Sequence, residues 1–144
     1  MADVKETRPE SHVPSALEEA ETYLTSVRAT SLVGSFRYAF IGLAYLFRTQ
    51  RNARIHVGLT LAVIVAGLLT RLGPVEWAVL TAMMGLIFFA EASNTALEAV
   101  VDIASPAYHP LAQIAKDVAA AGVLMAAIAS VAVGALIFLS HWIH

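Results

Sequence analysis

Four polar residues interrupt the apolar stretch from Val75 to Ile103: Glu91, Asn94, Glu98 and Asp102. Their spacings of three, four and four residues place them at about 0°, 300°, 340° and 20° around an α-helix, on one face about 80° wide. Ala90, Ala92, Ala96 and Leu97 fill the other faces at that level. A carboxylate in an apolar helix is costly to desolvate, so its default reading is a functional one. A helix that leaves the membrane with solvated acids would account for Asp102 and at most for Glu98. It does not account for Glu91 and Asn94 sharing their face. A stack of acids needs a cation, and Arg51, Arg54, Lys116 and a divalent metal are the candidates. Carboxylate oxygens with few protein ligands suit Mg²⁺, which completes its shell with phosphate oxygens. Phosphoryl transfer asks a protein for a metal, a cation for the developing charge and a group that positions the nucleophile. All three can be supplied here, with Glu91 able to take the proton of a primary hydroxyl.

The elements that must hold these residues are legible from hydropathy and chain breakers. Of the 144 residues 58% are hydrophobic and 14% charged, against about 25% charged in an ordinary soluble domain. So few polar groups cannot cover a water-exposed surface, and lipid is the expected solvent. The formal net charge of -2 says little by itself; no nucleic-acid partner is expected. The absence of cysteine excludes disulfides and thiolate metal sites. Residues 1–30 contain no apolar core of the kind a signal segment needs.

Ile55 to Leu72 is expected to form a first membrane span, ended by Gly73-Pro74. Val75 to Ile103 forms the second, with Trp77 placed at one interface and Ser105-Pro106 as its break. Residues 107–117 read as a polar loop, and Val118 to Leu139 as the third span, with Trp142 at its end. The 14 residues from Trp77 to Glu91 rise about 21 Å, so Glu91 lies toward the far boundary and Glu98 and Asp102 at or beyond it. Residues 31–48 carry Arg37 and Arg48 among aromatics and suit an amphipathic helix lying in the interface; a fourth span is the competing reading. Before it, 1–14 reads as a polar tail and Pro14 to Arg28 as a short surface helix.

Arg37, Arg48, Arg51, Arg54 and Lys116 fall on one side of these spans and Arg71 alone on the other. The N-terminus and the loop at 104–117 are therefore expected in the cytoplasm, and the C-terminus outside. Gly122, Ala126, Ser130 and Gly134 form a small-residue stripe that permits close helix approach. Three spans enclose little interior, so association of several copies is expected. The lone His56 reads as an interfacial or packed residue rather than a ligand, and His141 and His144 fall on the opposite side from the acids.

The segment Glu91-Ala-Ser-Asn94-Thr95-Ala-Leu-Glu98-Ala-Val-Val-Asp102 resembles the signature of the prokaryotic diacylglycerol kinase family, which includes undecaprenol kinases. The resemblance continues through Tyr108-His109-Pro110-Leu111 and Ala115-Lys116-Asp117. Upstream it takes in Phe36-Arg37-Tyr38-Ala39 and Arg51-Asn52-Ala53-Arg54-Ile55-His56. It covers about residues 31–142, which makes 1–30 a tail and 31–144 the membrane kinase domain. The resemblance implies a homotrimer in a bacterial inner membrane, each subunit all-α with a surface helix and three spans, and active sites shared between neighbours. It implies ATP as co-substrate, Mg²⁺ as cofactor, membrane lipids as surroundings and a lipid alcohol as acceptor. Glu91 matches the family's general base, Glu98 a metal ligand and Asn94 the polar residue supporting that metal site. Lys116 and Asp117 match nucleotide-contacting positions, and Tyr38 and Ala107-Tyr108-His109 positions near the nucleotide. One departure stands out: Gln50 occupies the place of a second metal-binding glutamate and could offer only a neutral carbonyl. Arg51-Asn52-x-Arg54-Ile55-His56, Glu76-Trp77 and Tyr108-His109-Pro110 resemble the undecaprenol kinase branch more than the diacylglycerol branch, which remains the alternative. Gln50 also leaves open a catalytically weak membrane scaffold.

Overall fold

The computed structural model describes residues 32–143; the tail and the short helix expected over 14–28 lie outside them. The chain divides into two units, residues 1–39 and 40–144. Four helices make up the described residues: α1 (Leu32–Thr49), α2 (Arg51–Thr70), α3 (Pro74–Ala104) and α4 (Pro110–Ile143). The last three are long and apolar enough to cross a membrane. Only two or three residues of each span are buried within the chain, so most of their apolar surface is left for lipid or for further copies.

Local chemistry explains the breaks. A single extended residue, Gln50, separates α1 from α2. At the end of α2, Arg71 adopts the left-handed conformation, φ 55° and ψ 47°, which costs a non-glycine residue roughly 1–2 kcal/mol. The turn recovers bonds in exchange: Arg71 N–H donates to Leu68 O at 3.3 Å and Leu72 N–H to Gly67 O at 3.1 Å. Pro74 then opens α3 at a position where its missing N–H costs nothing. Glu76 Oε2 accepts the N–H of Gly73 at 2.6 Å, and Trp77 N–H donates to Gly73 O at 3.1 Å.

The helix α4 starts at Pro110, eight residues before the span expected from Val118, so most of the supposed loop at 107–117 is helical. Hydropathy marks where a helix enters lipid, not where winding begins. His109 caps this start, its Nδ1 accepting Leu111 N–H at 3.2 Å and its carbonyl accepting Gln113 N–H at 3.1 Å. Gln113 Nε2 in turn donates to Asp117 Oδ1 at 2.8 Å, one turn on.

Helices α3 and α4 form an antiparallel hairpin tied at both ends. His141 Nδ1 lies 3.3 Å from Glu76 Oε1 at one end, and Lys116 pairs with Asp102 at the other. Between them Leu80, Val123 and Ala126 are buried. The small-residue stripe of α4 is only partly used inside the chain. Ala126 is buried, but a Cβ added at Gly122 or Gly134 would meet nothing within 4 Å. Phe47 near the end of α1 sets its ring edge-on to Phe88 of α3, with centroids 5.9 Å apart.

Candidate functional site

Among the described residues the largest fully buried side chain is a glutamate. Glu91 is 2% exposed. Thirteen residues of α3 precede it from Ala78 onward without another ionisable group. With Trp77 at one interface, a helix rise of about 21 Å to Glu91 keeps it inside a hydrocarbon layer about 30 Å thick. Asn94 follows at about 26 Å and Glu98 at about 32 Å, at the boundary; Asp102, at about 38 Å, has left it. The acid face read from spacing is the packed face of α3 as far as Glu98. Leu80, Glu91 and Thr95 are its buried residues and Asn94 and Glu98 are half-buried, whereas Asp102 is exposed.

The polar atoms on this face are incompletely satisfied. Asn94 Nδ2 donates to Glu98 Oε1 at 3.0 Å, which turns the amide oxygen away. Asn94 Oδ1 and Glu91 Oε1 are both sealed from solvent and form no hydrogen bond. An unsatisfied buried polar atom costs about 1–3 kcal/mol. Two of them one helical turn apart are exceptions on a packed face and call for partners from outside α3. Thr95 gives no help, because its hydroxyl donates to the backbone carbonyl of Glu91 at 2.9 Å.

A residue read above as packed or interfacial comes to this site. His56 of α2, 14% exposed, sets Nε2 3.4 Å from Glu91 Oε1. Sequence spacing could not show a contact between two helices. The available signal was that His56 shares a helical face with Ala53, Thr60, Val63 and Gly67, the face of α2 that packs. His56 also lines a hollow with Asn52, Asn94, Ala120, Val123 and Ala127.

A second hollow lies at the turn between α3 and α4. Asp102, Ala107, Tyr108, His109, Gln113 and Lys116 line it, which gathers four of the positions expected near a nucleotide. Asp117 does not line it and is engaged by Gln113. Lys116 is held by Asp102, fourteen residues away across the turn. Tyr38 belongs to the first unit and is 60% exposed. Gln50 is half-buried at the start of α2 and makes no capping bond with its side chain.

No group of three or more His, Asp or Glu side chains stands ready for a metal among the described residues. The donor set still fits Mg²⁺, which binds through one or two carboxylates and takes the rest of its shell from water and phosphate. Glu98 and the unbonded Asn94 Oδ1 are hard oxygen donors of that kind.

The fold is that of a small helical membrane protein with acidic and polar residues sharing one face of α3. The chain belongs to the prokaryotic diacylglycerol kinase family, whose sequence model matches residues 37–138. It is 50% identical over 112 residues to the diacylglycerol kinase of Synechocystis sp., covering 77% of this chain and 64% of that one. The undecaprenol kinase of Bacillus subtilis is 40% identical over 105 residues, 73% of this chain and 85% of the relative. The diacylglycerol kinase of Escherichia coli K12 is 31% identical over 114 residues, 78% and 93% of the two chains.

Proposed function

We propose that this protein is an ATP- and Mg²⁺-dependent kinase of a membrane lipid alcohol. The observation that carries this reading is Glu91, a carboxylate 2% exposed in a membrane span, within one turn of Asn94 and two of Glu98. Glu91 takes the proton of the acceptor's primary hydroxyl as that oxygen bonds to the γ-phosphorus of ATP. The bond from the γ-phosphorus to the bridging oxygen breaks, and ADP leaves with its electron pair. Glu98 and Asn94 Oδ1 would hold the metal, and Gln50 could add only a neutral carbonyl. Mg²⁺, when bound there, would supply positive charge to offset that of the phosphates. Lys116, with Ala107, Tyr108 and His109, receives the nucleotide, and Asp117 lies near it. Lys116 then exchanges its pairing with Asp102 for phosphate oxygens.

The protein works as a homotrimer in a bacterial inner membrane, with its N-terminus in the cytoplasm and α1 lying as an amphipathic helix on the surface. The large exposed apolar area of α2, α3 and α4, and the open space at Gly122 and Gly134, support assembly. Undecaprenol is the proposed acceptor, on the strength of the segments around Arg51–His56 and Tyr108–Pro110; the relative at 50% identity is named for diacylglycerol. The test is phosphate transfer from labelled ATP by the purified full chain in mixed micelles, with undecaprenol and diacylglycerol compared side by side. Faster turnover of diacylglycerol would reverse the acceptor assignment. Transfer to neither lipid would remove the kinase reading and leave a membrane scaffold.

A further inference from the structure

We infer that His56 is a positioning residue for Glu91. The inference rests on the kinase reading above, in which Glu91 is the base. A base must present one carboxylate oxygen to the acceptor hydroxyl, and a carboxylate free to turn about its side-chain torsions presents neither oxygen reliably. Glu91 Oε1 is sealed from solvent and accepts no hydrogen bond from its own helix. The other polar groups of that face are spent elsewhere. Asn94 gives its amide N–H to Glu98 and Thr95 its hydroxyl proton to a backbone carbonyl. Lys116 is engaged by Asp102. The imidazole Nε2 of His56 lies 3.4 Å from Glu91 Oε1 and comes from a different helix.

That separation is longer than the 2.7–2.9 Å of a charge-assisted hydrogen bond (about, by survey), and contacts of this kind tighten when substrates close the site. The packing allows it. Ala53, one turn before His56, is fully buried, so α2 approaches its neighbours closely at this level. In the closed state His56 Nε2–H donates to Oε1 and fixes the carboxylate plane. Oε2 is then the oxygen that accepts the hydroxyl proton. A neutral imidazole suffices, and His56 touches neither substrate.

The experiment measures lipid phosphorylation by the full chain in mixed micelles, with kcat and the KM for Mg²⁺-ATP determined separately. His56→Leu removes the donor and should lower kcat by about 10- to 100-fold, the usual penalty of a misplaced reacting group, with KM for Mg²⁺-ATP unchanged. His56→Gln sets an amide nitrogen near the Nε2 position and should recover most of kcat. His56→Asn, whose amide falls short, should not. In a Glu91→Gln background His56→Leu should cost almost nothing further, because a positioning residue acts only through the group it positions.

Equal activities of the Gln and Asn variants would overturn the inference. So would a loss confined to KM, or losses that multiply fully in the double variant. If His56→Leu does not fold, the contrast between Gln and Asn decides. An inactive wild-type chain removes the kinase reading and this inference with it; an active wild type matched by His56→Leu removes the inference alone.

Discussion

Gly67 is where α2 meets the ring of Trp77, and replacing it by Ala puts that contact under strain. A Cβ there would lie 2.9 Å from both Cζ2 and Cη2 of Trp77 and 3.1 Å from Leu72 Cδ1. Leu72 is 7% exposed and has little room to move, whereas Trp77 is half-buried, so the indole must shift. Overpacking of this kind costs about 1–3 kcal/mol. Replacing glycine by alanine inside a helix returns about 0.5–1 kcal/mol. The net expectation is a loss near 1 kcal/mol, and its sign depends on the indole. In a Trp77→Leu background the ring atoms are gone, and the same Gly67→Ala change should gain about 0.5–1 kcal/mol. The assay is reversible unfolding in mixed micelles followed by helical circular dichroism, run as a four-variant cycle. An equal effect of Gly67→Ala in both backgrounds, or stabilisation of the wild type, would refute the packing described for this turn. The turn matters to the site because it sets the register of α2 on α3, and with it the level of His56 against Glu91.

Four further outcomes follow from the site and the topology. Glu91→Gln should cut turnover by about 10²- to 10⁴-fold, the range for loss of a general base, at every Mg²⁺ concentration. Glu98→Gln should raise the Mg²⁺ needed for half-maximal rate and recover at high Mg²⁺; equal rescue of both variants by metal would show that the two roles are wrongly divided. Gln50→Glu should lower the half-saturating Mg²⁺ severalfold, since a carboxylate holds the ion more strongly than an amide carbonyl. A Mg²⁺ titration that shows no shift, or a shift upward, would mean Gln50 is no ligand. Reporters fused to either end should place the N-terminus in the cytoplasm and the C-terminus outside, and finding both in the cytoplasm would make α1 a fourth span.

Much of the candidate site could be read along the chain because it lies on one helix. A period of 3.6 residues is enough to put Glu91, Asn94 and Glu98 on one face, and their cost in lipid is a property of the residue types. The three apolar helices and the breaks at Gly73-Pro74 and Ser105-Pro106 follow from local composition in the same way. The extent of α4 does not. Its first turns are polar and lie outside the apolar run, and they are wound by the cap at His109 and the Gln113–Asp117 pair. Contacts between helices were out of reach for a different reason. Glu91 and His56 are 35 residues apart in the sequence, and no periodicity within either helix says which level of one faces which level of the other. The turn at Arg71–Gly73 and the packing of Gly67 on Trp77 settle that register. Residue types and spacing therefore determined which groups could do chemistry and the solvent they live in. Only the tertiary structure decided that a lone histidine stands beside the buried carboxylate, because that contact depends on how two helices pack.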